Sequence, residues 1–264
     1  MNHDRITHDP EVILSPMRTQ PRQDTLAGNP NREGVRHGPE TDRLGRPVEW
    51  LPCLPRLTGT RCDELGVTPI GLDKVLCMRL CHPGLMRQQY IGRVRHGDPL
   101  VSWEWRTVTP MPEEMAGFTV NLKGARIGDN VYFPIFPHPP GVDATMGLVR
   151  LDLTREEWVI EGRGPWNPEN ELNQGPPVMY NCLVEAYGQS LVVAGGSSIV
   201  EDFGQRREAK EGAWRYDTDF QYWERLGDIP ADTVVSSESS AVWVGRTLHT
   251  FTDNDHLSLT FDGQ

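Results

Sequence analysis

The sequence predicts an all-β chain in which one four-stranded unit recurs about four times. Three observations carry that prediction: a glycine-led strand returns at a nearly constant period, an Asp-to-Trp landmark returns at the same period, and helical periodicity is missing throughout. The segments Ile127 to Phe133, Tyr187 to Val193 and Val244 to Thr250 each read apolar residue, Gly, two polar residues, strand. A looser copy, one residue longer before its strand, runs from Ile70 through Gly71 to Cys77. The four glycines, Gly71, Gly128, Gly188 and Gly245, are separated by 57, 60 and 57 residues.

The second landmark is an apolar residue, Asp, five residues and Trp, as in Leu151-Asp152 to Trp158 and Tyr216-Asp217 to Trp223. Asp opens a turn because its side chain can accept from backbone amides two residues on, and the Trp begins the returning strand with a large surface to bury. A short strand and a proline-bearing exit follow, at Val108 to Pro112 after Trp105 and at Ile229-Pro230 after Trp223. Proline suits a strand end because it cannot donate to the ladder.

A single four-stranded sheet leaves both faces wet. Stacking such sheets radially covers the faces between neighbours and leaves only short edges, so the repeat predicts a β-propeller of about four blades. Each Trp is expected to pack between blades, where burial is worth roughly 1.5 to 3 kcal/mol.

Residues 1 to 49 contain no aromatic side chain, and prolines interrupt them about every ten positions. Such a segment buries too little to fold, so residues 1–46 are expected to be a disordered arm and 47–264 the propeller domain. The arm's charges balance, with seven Arg against seven Asp plus Glu.

The last copy ends at Phe261 to Gln264, before its turn and Trp strand, whereas Pro47 to Pro55 contains Trp50 and little else of a blade. The expectation is that Val48 to Leu54 pairs beside Ser258 to Phe261 and completes the last blade, removing an exposed edge. Two readings of the whole stand together: a closed small ring of four, or a fragment of a larger propeller.

The run of Gly188, strand, Gly195-Gly196, variable loop, Tyr216-Asp217, Trp223 and Pro230 resembles a kelch repeat, and the resemblance covers roughly residues 47 to 264. The double glycine is replaced by Pro134-Ile135 in the second copy and by Thr252-Asp253 in the last. The resemblance implies a galactose-oxidase-like propeller whose variable loops bind protein partners. In plants such repeats often follow an F-box that recruits a ubiquitin ligase, and no F-box-like helical segment precedes this one.

A net charge of -11 and a pI near 5.2 oppose a phosphate backbone, so nucleic acid is not an expected partner. No apolar run approaches the length of a membrane helix and no signal peptide opens the sequence, so neither membrane attachment nor secretion is expected, and the expected compartment is cytoplasm or nucleus. The five cysteines, at positions 53, 62, 77, 81 and 182, are odd in number and irregular in spacing, which reads as reduced thiols.

Catalytic chemistry finds little to build on. Cys77, Cys81 and His82 lack the paired gaps of a zinc ribbon or finger, and the histidines at 82, 96, 138, 249 and 256 form no recognisable copper set. Glu224, Asp228 and Asp232 approach an iron pattern but lack its histidine, and Glu156-Glu157 fall in the turn before Trp158. No catalytic residue, metal or cofactor is expected, and an enzyme or small-molecule binder at the channel mouth is the secondary reading.

Two long loops occupy the same place in successive repeats, Pro134 to Met146 and Ser197 to Gly212. Loops of that length are often functional. The first carries Phe136, His138 and Asp143 among prolines, and the second carries Glu201, Asp202, Phe203, Arg206 and Arg207. A solvated insertion is the competing reading of the second loop. The expected function is that of a noncatalytic scaffold whose protein partner docks on the face carrying both loops.

Overall fold

The computed structural model of the protein describes residues 41, 45–51, 61–82, 86–95, 102–137, 144–161, 175–196, 198–202, 205–209, 212–229, 235–236, 239–251 and 256–260. All of them belong to one compact unit, Glu40–Gln264; the segment expected to be a disordered arm lies almost wholly outside the described residues. Four antiparallel sheets stand in a ring as the blades of a propeller.

The first blade is β1 (Arg61–Pro69), β2 (Lys74–His82), β3 (Met86–Arg95) and β4 (Ser102–Thr107), paired in that order. The second has β5 (Phe118–Val120), β6 (Ala125–Ile127), β7 (Asn130–Pro137), β8 (Gly147–Asp152) and β9 (Glu157–Glu161). Here β5 and β6 together form the inner strand, because both pair with β7. In the third blade, β10 (Leu183–Tyr187), β11 (Ser190–Ala194), β14 (Ala213–Asp217) and β15 (Tyr222–Gly227) pair in order. Between β11 and β14 stands a separate ribbon of β12 (Ser198–Asp202) and β13 (Gln205–Ala209). The last blade is β16 (Ser240–Val244), β17 (Thr247–Phe251) and β18 (His256–Thr260).

The repeat landmarks occupy equivalent places. Gly128, Gly188 and Gly245 sit in the tight turns between first and second strands with φ of +59°, +59° and +62°, a conformation that glycine adopts without steric cost. Gly71 lies in the wider bend from β1 to β2, closed by the Ile70 amide on the Lys74 carbonyl at 3.0 Å. Asp152 opens the β8–β9 turn by accepting from the amides of Thr154 and Arg155 at 2.8 and 3.0 Å. Asp217 does the same for Asp219 and Phe220, both at 3.0 Å, in the β14–β15 turn.

The strand alternation sends one face of each blade backward and the other forward. Ile70, Leu76, Met78 and Ile91 of the first blade meet Val131, Phe133, Val149 and Leu151 of the second. Tyr132, Phe136 and Leu148 of the second meet Val184, Leu191 and Val193 of the third. Val192, Ala194 and Ala213 of the third meet Leu248 of the last, with Trp243 and Leu259 packed beside them. At the fourth junction the apolar residues are open: Leu65 and Val67 on β1 are 54% and 39% exposed, and Val242 and Val244 on β16 are 49% and 62% exposed.

The inner strands are also tied by polar bonds, and β6 touches both β1 and β10. The Gly124 amide donates to Thr68 Oγ1 at 2.9 Å, and Asn121 Nδ2 donates to the carbonyls of Lys123 at 2.8 Å and Cys182 at 3.2 Å. Thr68 and Asn121 are both buried, so these partners meet a need that water does not.

One expectation fails. The segment at Trp50 joins the first blade and not the last: Leu51 and Trp105 exchange backbone hydrogen bonds of 2.7 and 2.8 Å. A cation–π contact holds the ring there, with the Arg93 guanidinium 3.8 Å from the Trp50 ring. Phe261 lies outside the described residues.

Candidate functional site

The ribbon of β12 and β13 belongs to no blade, and it stands on glycines. Gly195 and Gly196 leave β11 with φ of +66° and +78°; the Gly195 amide donates to the Gly212 carbonyl at 3.3 Å and the Gly196 amide to the Val235 carbonyl at 2.7 Å. A Cβ on Gly195 would run into the Val235 carbonyl oxygen, and one on Gly196 would lie 2.6 Å from the Tyr180 oxygen. Thus the doubled glycine serves both a left-handed backbone and a close approach by two connections, from the second blade and to the last.

Within the ribbon, Glu201 pairs with Arg206, Val200 with Arg207 and Asp202 with Gln205. Opposite charges directly across a pair favour this register. The segment expected to be a long loop is therefore a hairpin carrying Glu201, Asp202, Arg206 and Arg207 on its strands; Phe203, at its tip in sequence, lies outside the described residues.

The other loop is shorter than its prolines suggest. Pro134, Ile135 and Phe136 continue β7, and Phe136 is 2% exposed with its ring edge-on to Tyr180 at 4.7 Å. Phe136 is a core residue and not a partner contact, because its strand is covered by the third blade. His138 and Asp143 lie outside the described residues. The loop returns at Thr145, which bridges Pro177, and the Met146 amide donates to the Pro176 carbonyl at 2.7 Å. Both insertions join the second and third strands of their blades and both are footed on the connection to the next blade, which places them at the same end of the propeller.

A second feature lies between β15 and β18, a groove of about 640 Å³ lined by Tyr187, Arg215, Tyr222, Arg246 and Leu259 among others. Arg215 pairs with Glu224 at 2.5 Å, and Arg225 pairs with Asp228. Sequence reasoning missed this groove. Its walls come from strands about 35 residues apart, and no local pattern brings them together.

Between the second and third blades, Arg150 bonds Glu161 and donates to Asn130 Oδ1 at 3.0 Å, while Gln221 Nε2 reaches Glu161 at 3.3 Å from the third blade. Desolvation raises the Tyr216 phenol beside this cluster, with Glu161 adding to the effect. On the innermost strand, burial pushes Glu185 up to about 7, partly offset by the charge of Lys123. Cys77 and Cys182 are buried free thiols, pushed by desolvation up to about 11 and about 12.

Among the described residues no group of three or more His, Cys, Asp or Glu gathers as a metal site. The two imidazoles that meet, His249 and His256, stack on the open face of the last blade with Nδ1 and Nε2 2.9 Å apart. No helix among the described residues is long and apolar enough to cross a membrane. Neither a protein-family model nor any curated protein matches the chain.

Proposed function

We propose that the chain is a noncatalytic interaction module of the kelch-repeat type, whose protein partner docks on the end of the propeller that bears the β12–β13 ribbon. The observation that carries this reading is the ribbon itself: a charged two-stranded hairpin paired to no blade, raised on a base where Gly195 and Gly196 admit no side chain. A hairpin whose strands are already paired lowers the ordering cost of binding.

A photo-crosslinking residue placed at Arg206 tests the reading directly. The expected result is a discrete cross-linked partner band from native extract that is missing when the crosslinker sits at Phe220, an exposed position in the β14–β15 turn. Equal cross-linking from both positions would overturn the assignment of the ribbon end.

A further inference from the structure

Three blades end in a fourth strand that carries a tryptophan at one register position. Trp105 on β4 pairs with Gly92, Trp158 on β9 with Leu151, and Trp223 on β15 with Tyr216. In the last blade β18 holds the third place: Leu259 pairs with Leu248 as Leu151 pairs with Val131 and Tyr216 with Leu191. Among the described residues no strand pairs with the outer edge of β18.

The 640 Å³ groove lies along that edge, between β18 and the outer strand of the third blade. Ser258, Leu259 and Thr260 form one wall; Tyr222 and Leu226, 36% and 37% exposed, contribute apolar surface to the other. An edge with no partner among the described residues presents backbone groups that a further strand would satisfy. Of the three guanidiniums in the lining, Arg215 is paired with Glu224 and Arg225 with Asp228, which leaves Arg246 as the one without a carboxylate partner in the lining.

We propose that this groove binds an extended peptide of another protein, which adds to β18 as a fourth strand, sets an aromatic side chain over Leu259 and carries a carboxylate two residues before it. The register fixes the order. In the second blade Glu156, two residues before Trp158, pairs with Arg106 of the preceding blade at 2.5 Å, and in the third Gln221, two before Trp223, reaches Glu161 of the preceding blade at 3.3 Å. A carboxylate two residues before the aromatic therefore reaches toward the third-blade wall at the end of the groove that bears Arg246, whereas the residue immediately before it alternates to the opposite face. The site does not depend on the ribbon reading.

The test uses a fluorescein-labelled synthetic peptide with the sequence of residues 155–162, Arg-Glu-Glu-Trp-Val-Ile-Glu-Gly, titrated with the full chain and followed by anisotropy. Saturable binding is expected, weakened about tenfold when the peptide's Trp is replaced by Ala and about tenfold by either Arg246→Glu or Tyr222→Ala in the protein. Both protein variants should keep the wild-type melting temperature, since both side chains face the groove. Absence of saturable binding, or binding that none of the three changes weakens, would overturn the proposal. So would sedimentation of the unliganded chain as a dimer that Arg246→Glu dissociates, because the groove would then be filled by a second copy.

Discussion

The indole nitrogen of Trp158, on the last strand of the second blade, donates to the carbonyl of Thr109, in the connection leaving the first blade, at 2.8 Å. The same ring lies 5.9 Å from Phe133, so one side chain both fills an interblade core and closes a backbone acceptor. Trp158→Phe should therefore cost about 1 kcal/mol, the worth of one hydrogen bond, and Trp158→Ala about 3 to 5 kcal/mol. Urea unfolding of both variants measures the two contributions; no loss from Trp158→Phe would remove the hydrogen bond from the account, and equal losses from the two would remove the packing.

Glycine substitutions should separate two roles. Gly128→Ala meets open space at a φ of +59° and should cost about 1 kcal/mol, the penalty for a left-handed residue. Gly196→Ala adds a Cβ 2.6 Å from the Tyr180 oxygen at a φ of +78° and should cost at least about 2 kcal/mol. Chemical denaturation that ranked them in the opposite order would contradict the packing at the ribbon base.

The repeat and the ribbon base were legible because backbone chemistry wrote them into the sequence. Turns that need positive φ select glycine at 128, 188 and 245, and turns that need an acceptor select Asp152 and Asp217. Pro134 misled for an equally physical reason. It sits in β7 where the inner strand breaks between β5 and β6, so the N–H that proline lacks falls opposite a gap in the ladder. The ribbon left a readable trace, since in sequence Ser198 to Asp202 and Gln205 to Ala209 are separated by only two residues, the second a glycine, a spacing that suits a hairpin. The partner of the Trp50 segment left none: two strand edges look alike in sequence, and the stack of Arg93 on Trp50 joins residues 43 apart that no local pattern relates.

Glu185 predicts a pH dependence. Its folded-state pKa, raised to about 7 by burial, exceeds the value near 4.5 of the exposed group, so the folded chain holds the proton longer than the unfolded one. Its contribution is intact below about pH 4.5 and is lost as pH rises through about 7, by at most about 3 kcal/mol. Glu185→Gln should flatten the fall in stability between pH 5 and 8, as measured by urea midpoints across that range. An unchanged slope would contradict the buried carboxyl.

The packed and open faces should respond differently. Leu191→Ala, at a fully buried position between the second and third blades, should cost about 2 to 5 kcal/mol, whereas Val244→Ser on the open face of the last blade should cost less than about 0.5 kcal/mol. Comparable losses at both sites, read from thermal melts, would mean that the fourth junction is filled.

The interaction account rests on the ribbon, and excising it tests that most directly. Residues 198–209 are replaced by a short Gly-Ser linker, and the variant is compared with the wild type by quantitative affinity recovery of partners from native extract and by melting temperature. The ribbon pairs with no blade, so the melting temperature should stay within about 2 °C while the recovered partners fall at least tenfold. Full recovery of the same partners by the folded, ribbon-free chain would contradict the account.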